Sequence, residues 1–209
     1  MPDLTDQLIA LGAATLGETG GRPMASRIRA VWPRARVAAP AFTVRCTPGD
    51  NLGVHVAVAR APAGSALAVE VGIERERGYW GEVLTTAAKA RGIAGLVIDG
   101  CVRDVTALEV HGFPVFSTGI ALPGATKELP GAAGGSAEVG DVRVQTGDWL
   151  VGDADGVTVV AATELDDVIA AGTVRAERER AMFAALRDGK TTVELLGLDP
   201  TPIDEGEDA

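Results

Sequence analysis

Residues 78–104, GYWGEVLTTAAKARGIAGLVIDGCVRD, carry the pattern from which the architecture follows. A glycine-flanked helix start at Gly81 leads into a helix through Arg91, with Gly92 as its stop. Residues 96–98 are Leu-Val-Ile, a wholly apolar strand of the kind buried on both faces. Arg103 and Asp104 follow where that strand ends. Three kinds of chemical group therefore meet in one small region. The helix start offers unpaired backbone N–H donors and a positive dipole end. Arg103 offers a planar fork for a carboxylate, and Asp104 a hard oxygen ligand for a divalent metal. This set suits a small 2-oxo acid and stabilisation of its enolate.

The flanking sequence extends the same pattern. Upstream, residues 3–16 place Leu4, Leu8 and Leu11 on one helical face, with Asp3 or Thr5 as the N-cap. Residues 36–46 read as a strand with Pro40 near its start. Asp50 or Asn51 caps a helix to Arg60, and 66–71 is another strand. Downstream, 104–110 is a short helix and 115–117 a strand, so helix and strand alternate from 50 to 118, which implies parallel strands joined by crossovers. Residues 119–135, rich in Gly, Pro and Ala, read as a long loop. Residues 137–144, 149–151 and 156–160 then form short strands separated by Gly-Asp turns, a small antiparallel or barrel-like β layer. A long helix, dense in Arg and Glu, spans 164–187. The expected organisation is one α/β domain over 1–198 with a mixed sheet, a small β layer and a long C-terminal helix. A loose acidic tail follows at 199–209.

Bulk properties narrow the classes. A chain of 209 residues suits one well-cored domain, and with only 4% aromatics the core must be Ala, Val, Leu and Ile. A net charge of −10 disfavours nucleic-acid binding. Cys46 and Cys101 read as free thiols in a reducing compartment. No apolar run reaches the roughly 20 residues that cross a bilayer, and the acidic start lacks a signal-peptide layout. The expectation is a soluble, cytoplasmic protein with no membrane partner.

Gly81-Glu82-Val83-Leu84, then Asp99-Gly100-Cys101-Val102-Arg103-Asp104, then Gly147-Asp148 and 152–157, in this order and spacing, resemble one family. It is that of the regulator of ribonuclease E activity A and 4-hydroxy-4-methyl-2-oxoglutarate aldolase, and the resemblance covers roughly residues 20 to 190. It implies a β/β/α swivelling-domain fold, assembled as a homotrimer or homohexamer with the site between subunits. It further implies a divalent-metal-dependent pyruvate aldolase that also decarboxylates oxaloacetate. Carried over residue by residue, Arg103 grips the carboxylate of the 2-oxo acid and Asp104 binds Mg²⁺ or Mn²⁺ directly. Glu82 holds metal-bound water, and the backbone from Gly81 through Val83 and Leu84 cradles the pyruvyl oxygens. Glu179 reaches a neighbouring subunit's metal waters, with Glu177 its rival on the same helix. The chain departs from the family pattern at Ala161, Cys101 and Gln145-Thr146, none of them a candidate catalytic group.

Each feature has a plainer reading. Asp104 could simply cap the next helix, and Asp99 could be a metal ligand or a strand-end carboxylate bonding nearby backbone. Glu177 and Glu179 could belong to a solvated charge lattice. Trp80 could wall a pocket or only pack. His55 and His111 show no zinc spacing. Of three lysines, Lys89 lies mid-helix and Lys127 in a loop, which disfavours a Schiff-base aldolase and leaves Lys127 for a substrate carboxylate. The competing class is a non-catalytic regulator that binds a protein partner such as a ribonuclease.

Overall fold

The computed structural model describes residues 3–203. The chain divides into two compact units, Met1–Gly172 and Thr173–Ala209.

Helix α1 (Leu4–Glu18) starts at Asp3, whose side chain accepts from the Asp6 amide. Two short strands, β1 (Arg22–Pro23) and β2 (Arg29–Ala30), lead to the long β3 (Val37–Arg45). Helix α2 (Leu52–Arg60) carries the chain to β4 (Ala66–Glu70), and α3 (Glu82–Ala90) to β5 (Gly95–Ile98). After β6 (Cys101–Val102), helix α4 (Val105–Val110) crosses to β7 (Val115–Ser117). Then come β8 (Gly119–Ile120), β9 (Ala132–Ala133), the hairpin of β10 (Ser136–Val139) and β11 (Val142–Gln145), β12 (Trp149–Asp153) and β13 (Gly156–Val160). Helix α5 (Leu165–Arg187) runs from the first unit into the second, where α6 (Thr192–Leu196) begins at a Thr191–Glu194 capping box.

The main sheet has the order β1-β13-β12-β3-β4-β5-β7-β2, with β9 also paired to β3. Strands β3, β4, β5 and β7 are parallel, as the helix–strand alternation requires. Side-chain size alternates along them with the two-residue strand period. Leu67 and Val69 of β4, with Leu96 and Ile98 of β5, face α2, α3 and α4. Ala66, Ala68 and Val97 face the other way, toward Ala137, Val139 and Val144 of the β10–β11 hairpin. Both faces are thus covered, which is why these strands read as unbroken apolar runs. A third cluster, with Leu8, Leu16, Val151, Val160 and Val168, seats α1 on β12 and β13.

The α/β class, mixed sheet and long C-terminal helix agree with the sequence reading, as does a turn at Gly140-Asp141, and three local expectations change. Strands β12 and β13 are not a separate layer: β12 pairs antiparallel with β3 and extends the main sheet, and of this segment β10–β11 alone stand as a two-stranded sheet of their own. The segment 137–144 is a hairpin turning at Gly140-Asp141, where both residues have positive φ. Pro40 lies inside β3 opposite Trp149, not near its start. The stretch 119–135 contains β8, parallel to β6, and β9, antiparallel to β3. Of the expected acidic tail, 204–209 lie outside the described residues, and Asp199 accepts from the Thr201 amide and hydroxyl. Among the described residues no helix is long and apolar enough to cross a membrane.

Gly152 shows how closely the sheet is packed. A Cβ there would lie 2.8 Å from the Phe116 ring, a fully buried side chain. Gly152→Val is therefore expected to lower unfolding free energy by about 1–3 kcal/mol through overpacking. A urea titration with an unshifted midpoint would contradict this packing.

Candidate functional site

Backbone hydrogen bonds fold the two ends of 78–104 onto each other. The Tyr79 amide donates to the Cys101 carbonyl at 3.1 Å, and the Arg103 amide to the Trp80 carbonyl at 2.9 Å. This register sets Asp104 beside the start of α3. Its Oδ2 accepts from the Glu82 amide at 3.0 Å. Asp104 does precede α4, but it makes no side-chain cap to that helix. Its carboxylate caps α3 instead, twenty-two residues back. The backbone of Asp104 is left-handed, φ 59° and ψ 36°, a conformation Asp tolerates better than most residues.

Glycine is demanded at two points in this contact. A Cβ at Gly81 would sit 2.3 Å from Asp104 Oδ2 and 3.1 Å from Arg103 Cγ. At Gly78 it would meet the Ala121 carbonyl at 2.8 Å and Arg103 Cδ at 3.0 Å. Beneath them Trp80 is buried, stacks on Phe113 with centroids 5.7 Å apart, and donates from Nε1 to Thr85 Oγ1 at 2.7 Å. It both packs and lines the pocket above.

The first turn of α3 leaves amides available. Asp104 takes that of Glu82, and the Thr85 amide donates to the Gly81 carbonyl. Those of Val83 and Leu84 have no hydrogen-bond partner among the described residues. Gly81, Val83, Leu84, Arg103 and Asp104 line one pocket of about 160 Å³. That is near the ~150 Å³ known to hold a benzene-sized molecule. Arg103 Nε lies 3.8 Å from Asp104 Oδ2, and the rest of the guanidinium has no other ion pair among the described residues. Asn51, His55 and Lys127 line the same pocket.

Other residues singled out by sequence lie elsewhere. Glu82 starts α3 but does not line the pocket, and its Oε1 is 3.4 Å from His111 Nε2. Glu179 belongs to the second unit, where it pairs with Arg175 at 3.0 Å. Asp99 serves an ion cluster, accepting from Arg27 Nε at 2.9 Å, Arg75 Nε at 2.9 Å and the Gly140 amide at 3.2 Å. Burial works against its ionisation, but the two guanidiniums outweigh it and hold the carboxyl below its ordinary range. Lys89 donates to the His111 carbonyl. Cys46 and Cys101 are both free thiols, and burial pushes Cys46 up to about 12, which makes it inert.

Sequence reasoning saw Asp50 only as a possible cap, and it does more. Its Oδ1 accepts from the Leu52 amide at 2.8 Å, which starts α2. Its Oδ2 accepts from Thr126 Oγ1 and from the Glu128 and Leu129 amides at 2.7, 2.6 and 3.1 Å. One buried carboxylate therefore ties the Lys127 loop to α2. Burial alone would raise its pKa, but these donors prevail and hold it at about 2. Burial, followed by the Lys127 charge, pushes the His55 imidazole below its ordinary range, which favours its neutral form.

A family model described as RraA-like, Aldolase/RraA, matches residues 1–159. A protein of Halalkalibacterium halodurans named "Putative 4-hydroxy-4-methyl-2-oxoglutarate aldolase" is 32% identical over 165 residues, covering 79% of each chain. An uncharacterized protein from Pseudomonas syringae superimposes with a TM-score of 0.76 at 25% identity, over 90% of this chain and 94% of that one. The RNA-processing inhibitor RraA from Thermus thermophilis gives a TM-score of 0.64 at 26% identity, over 71% and 91%.

The Asp50 anchor has a pH signature. Its contribution is complete above about pH 5, where the unfolded carboxyl is ionised, and fades as pH falls toward 2. Asp50→Ala is expected to cost about 3 kcal/mol at pH 7. The gap between wild-type and variant urea midpoints should narrow below about pH 5. A gap constant from pH 7 to pH 3 would show that the carboxylate charge is not what holds the loop.

Proposed function

Since this chain belongs to the Aldolase/RraA family, we propose that it is a divalent-metal-dependent pyruvate aldolase. It cleaves a 4-hydroxy-2-oxo acid and also decarboxylates oxaloacetate. The observation that carries this reading is the convergence of Arg103, Asp104 and the two unpaired α3 amides on one pocket.

The donor set fits the cation. Asp104 is the one carboxylate among the pocket's lining residues, and the described residues hold no group of three metal-ligating side chains. Mg²⁺ suits such a site because it keeps several waters and takes one or two carboxylates. Asp104 would hold it through the carboxylate lone pairs left beside the Glu82 amide, with Mn²⁺ as the alternative ion. When bound, the cation supplies Lewis-acid charge next to the oxygens of the 2-oxo acid.

The chain's own groups do the rest. Arg103 receives the C1 carboxylate in its fork and fixes the plane of the acid. The amides of Val83 and Leu84 donate toward the C2 oxygen, where negative charge develops as the C3–C4 bond breaks. In the aldol substrate the C4 hydroxyl gives its proton to water and the C4 fragment departs as a carbonyl compound. In oxaloacetate the departing fragment is CO₂. Either way the electron pair enters pyruvate enolate, which takes a proton from water at C3. Trp80 and Leu84 form an apolar floor that keeps bulk water from the reacting carbons. Glu82 accepts hydrogen bonds from water at the helix start.

A homotrimer or homohexamer is part of the proposal. In it Glu179 of one subunit would approach the site of the next, and a sedimentation measurement of mass would check the assembly itself.

Pyruvate release is the direct test. Release from oxaloacetate and 4-hydroxy-4-methyl-2-oxoglutarate should stop with EDTA and return with Mg²⁺ or Mn²⁺. Arg103→Ala and Asp104→Asn should each lower kcat/KM on the order of 10³-fold. Gly81→Ala, which displaces the Asp104 carboxylate, should cost about 10²-fold with the fold retained. Wild-type turnover in Asp104→Asn would remove the proposed site. No turnover in the wild type would favour a regulator that binds a protein partner.

A further inference from the structure

Among the described residues only two buried side-chain polar atoms lack a hydrogen-bond partner, Asn51 Oδ1 and His55 Nε2. Both residues line the candidate pocket, as do Arg103 and Asp104. An unpaired buried polar atom costs stability, so two on neighbouring residues that line one pocket point to a ligand group. Their positions agree. Asn51 precedes α2 and His55 follows four residues later, and such pairs lie on the same helix face one turn apart.

The orientation of Asn51 is fixed by the fold. Its Nδ2 donates to the Tyr79 carbonyl at 2.8 Å, so the oxygen is the atom left over. Asn51 is 4% exposed, and although it stands at the N-cap its side chain does not cap α2, because Asp50 accepts from the Leu52 amide instead. Asn51 Oδ1 is an acceptor and needs a donor. The neutral His55 imidazole presents a nitrogen able to accept or to donate, according to tautomer. A carboxylate, which only accepts, would satisfy His55 and oppose Asn51. A hydroxyl satisfies both, because it donates one hydrogen bond and accepts others. Lys127 Nζ, the second cationic group lining the pocket, donates to the Ala125 carbonyl at 3.3 Å.

We propose that His55 and Asn51 are specificity-determining residues that recognise a hydroxyl group on the ligand, beyond the 2-oxo acid head held by Arg103. This rests on the functional reading above and deepens it. The site would be built for an aldol, a hydroxylated 2-oxo acid, with oxaloacetate a substrate that leaves the pair unsatisfied. Sites made to hydrogen-bond a substrate hydroxyl discriminate strongly against analogues without one.

The test compares two reactions of the Mg²⁺-loaded protein, cleavage of 4-hydroxy-2-oxoglutarate and decarboxylation of oxaloacetate. His55→Ala is suitable because the position is half-exposed on a helix, where Ala is well tolerated. The ratio of the two kcat/KM values should fall about tenfold in His55→Ala. His55→Gln, whose amide reaches toward the Nε2 position, should recover most of it. A ratio within twofold of wild type in His55→Ala overturns the proposal. If the wild type turns over neither acid, the lyase reading fails, and calorimetry then decides the hydroxyl question separately. A wild-type preference of about tenfold for 4-hydroxy-2-oxoglutarate over 2-oxoglutarate, lost in His55→Ala, supports recognition of the hydroxyl. Equal affinities, or no binding of either acid, overturn it.

Discussion

The Asp104 carboxylate accepts a hydrogen bond from the Glu82 amide across twenty-two residues of chain, and the site is assembled around that contact. It requires α3 and β5 to return the backbone so that 78–81 lies against 101–103. It requires glycine at 81, where any side chain would occupy the space of the carboxylate. It holds Asp104 in a left-handed conformation that the following helix does not use for its own cap. By taking the first α3 amide it leaves the next two for a ligand. A helix N-terminus, a carboxylate and a guanidinium are brought to one pocket by one pairing.

A second carboxylate does comparable work at the start of α2. Asp50 gathers four donors, one from the start of α2 and three from 126–129. The pocket therefore lies between two elements each fixed by a charged side chain bonded to backbone. Such bonds are stronger than neutral ones and set direction as well as distance. Asn51 and His55 inherit their positions from this anchoring, because they stand on the helix that Asp50 starts.

Much of the framework was legible because it is local. The apolar run at 96–98, the Gly92 stop and the short helix after Asp104 follow from periodicity and capping, and β5, α3 and α4 lie where those rules put them. Partners of strands are not local. The alternation in 149–160 marks strands but says nothing about joining β3, so an added layer was the natural reading. Strand β9 is Ala132–Ala133 in a Gly- and Pro-rich stretch, too short and plain to signal itself. The site divides in the same way. Arg103, Asp104 and the α3 amides share one motif and could be read together. Asp50 looked like a cap because its contacts with 126–129 cross more than seventy residues. Asp99 looked like a ligand or a local acceptor because Arg27 and Arg75 are distant in sequence.

The most direct test of the central account is titration of Mn²⁺ and oxalate, a planar dianion resembling pyruvate enolate. Wild-type protein and the Asp104→Asn and Arg103→Ala variants would be followed by the Mn²⁺ resonance signal. The account predicts that wild type binds Mn²⁺ and that oxalate tightens it. It predicts that Asp104→Asn loses the metal, and that Arg103→Ala keeps the metal but loses the oxalate effect. Equal Mn²⁺ binding by wild type and Asp104→Asn would contradict it.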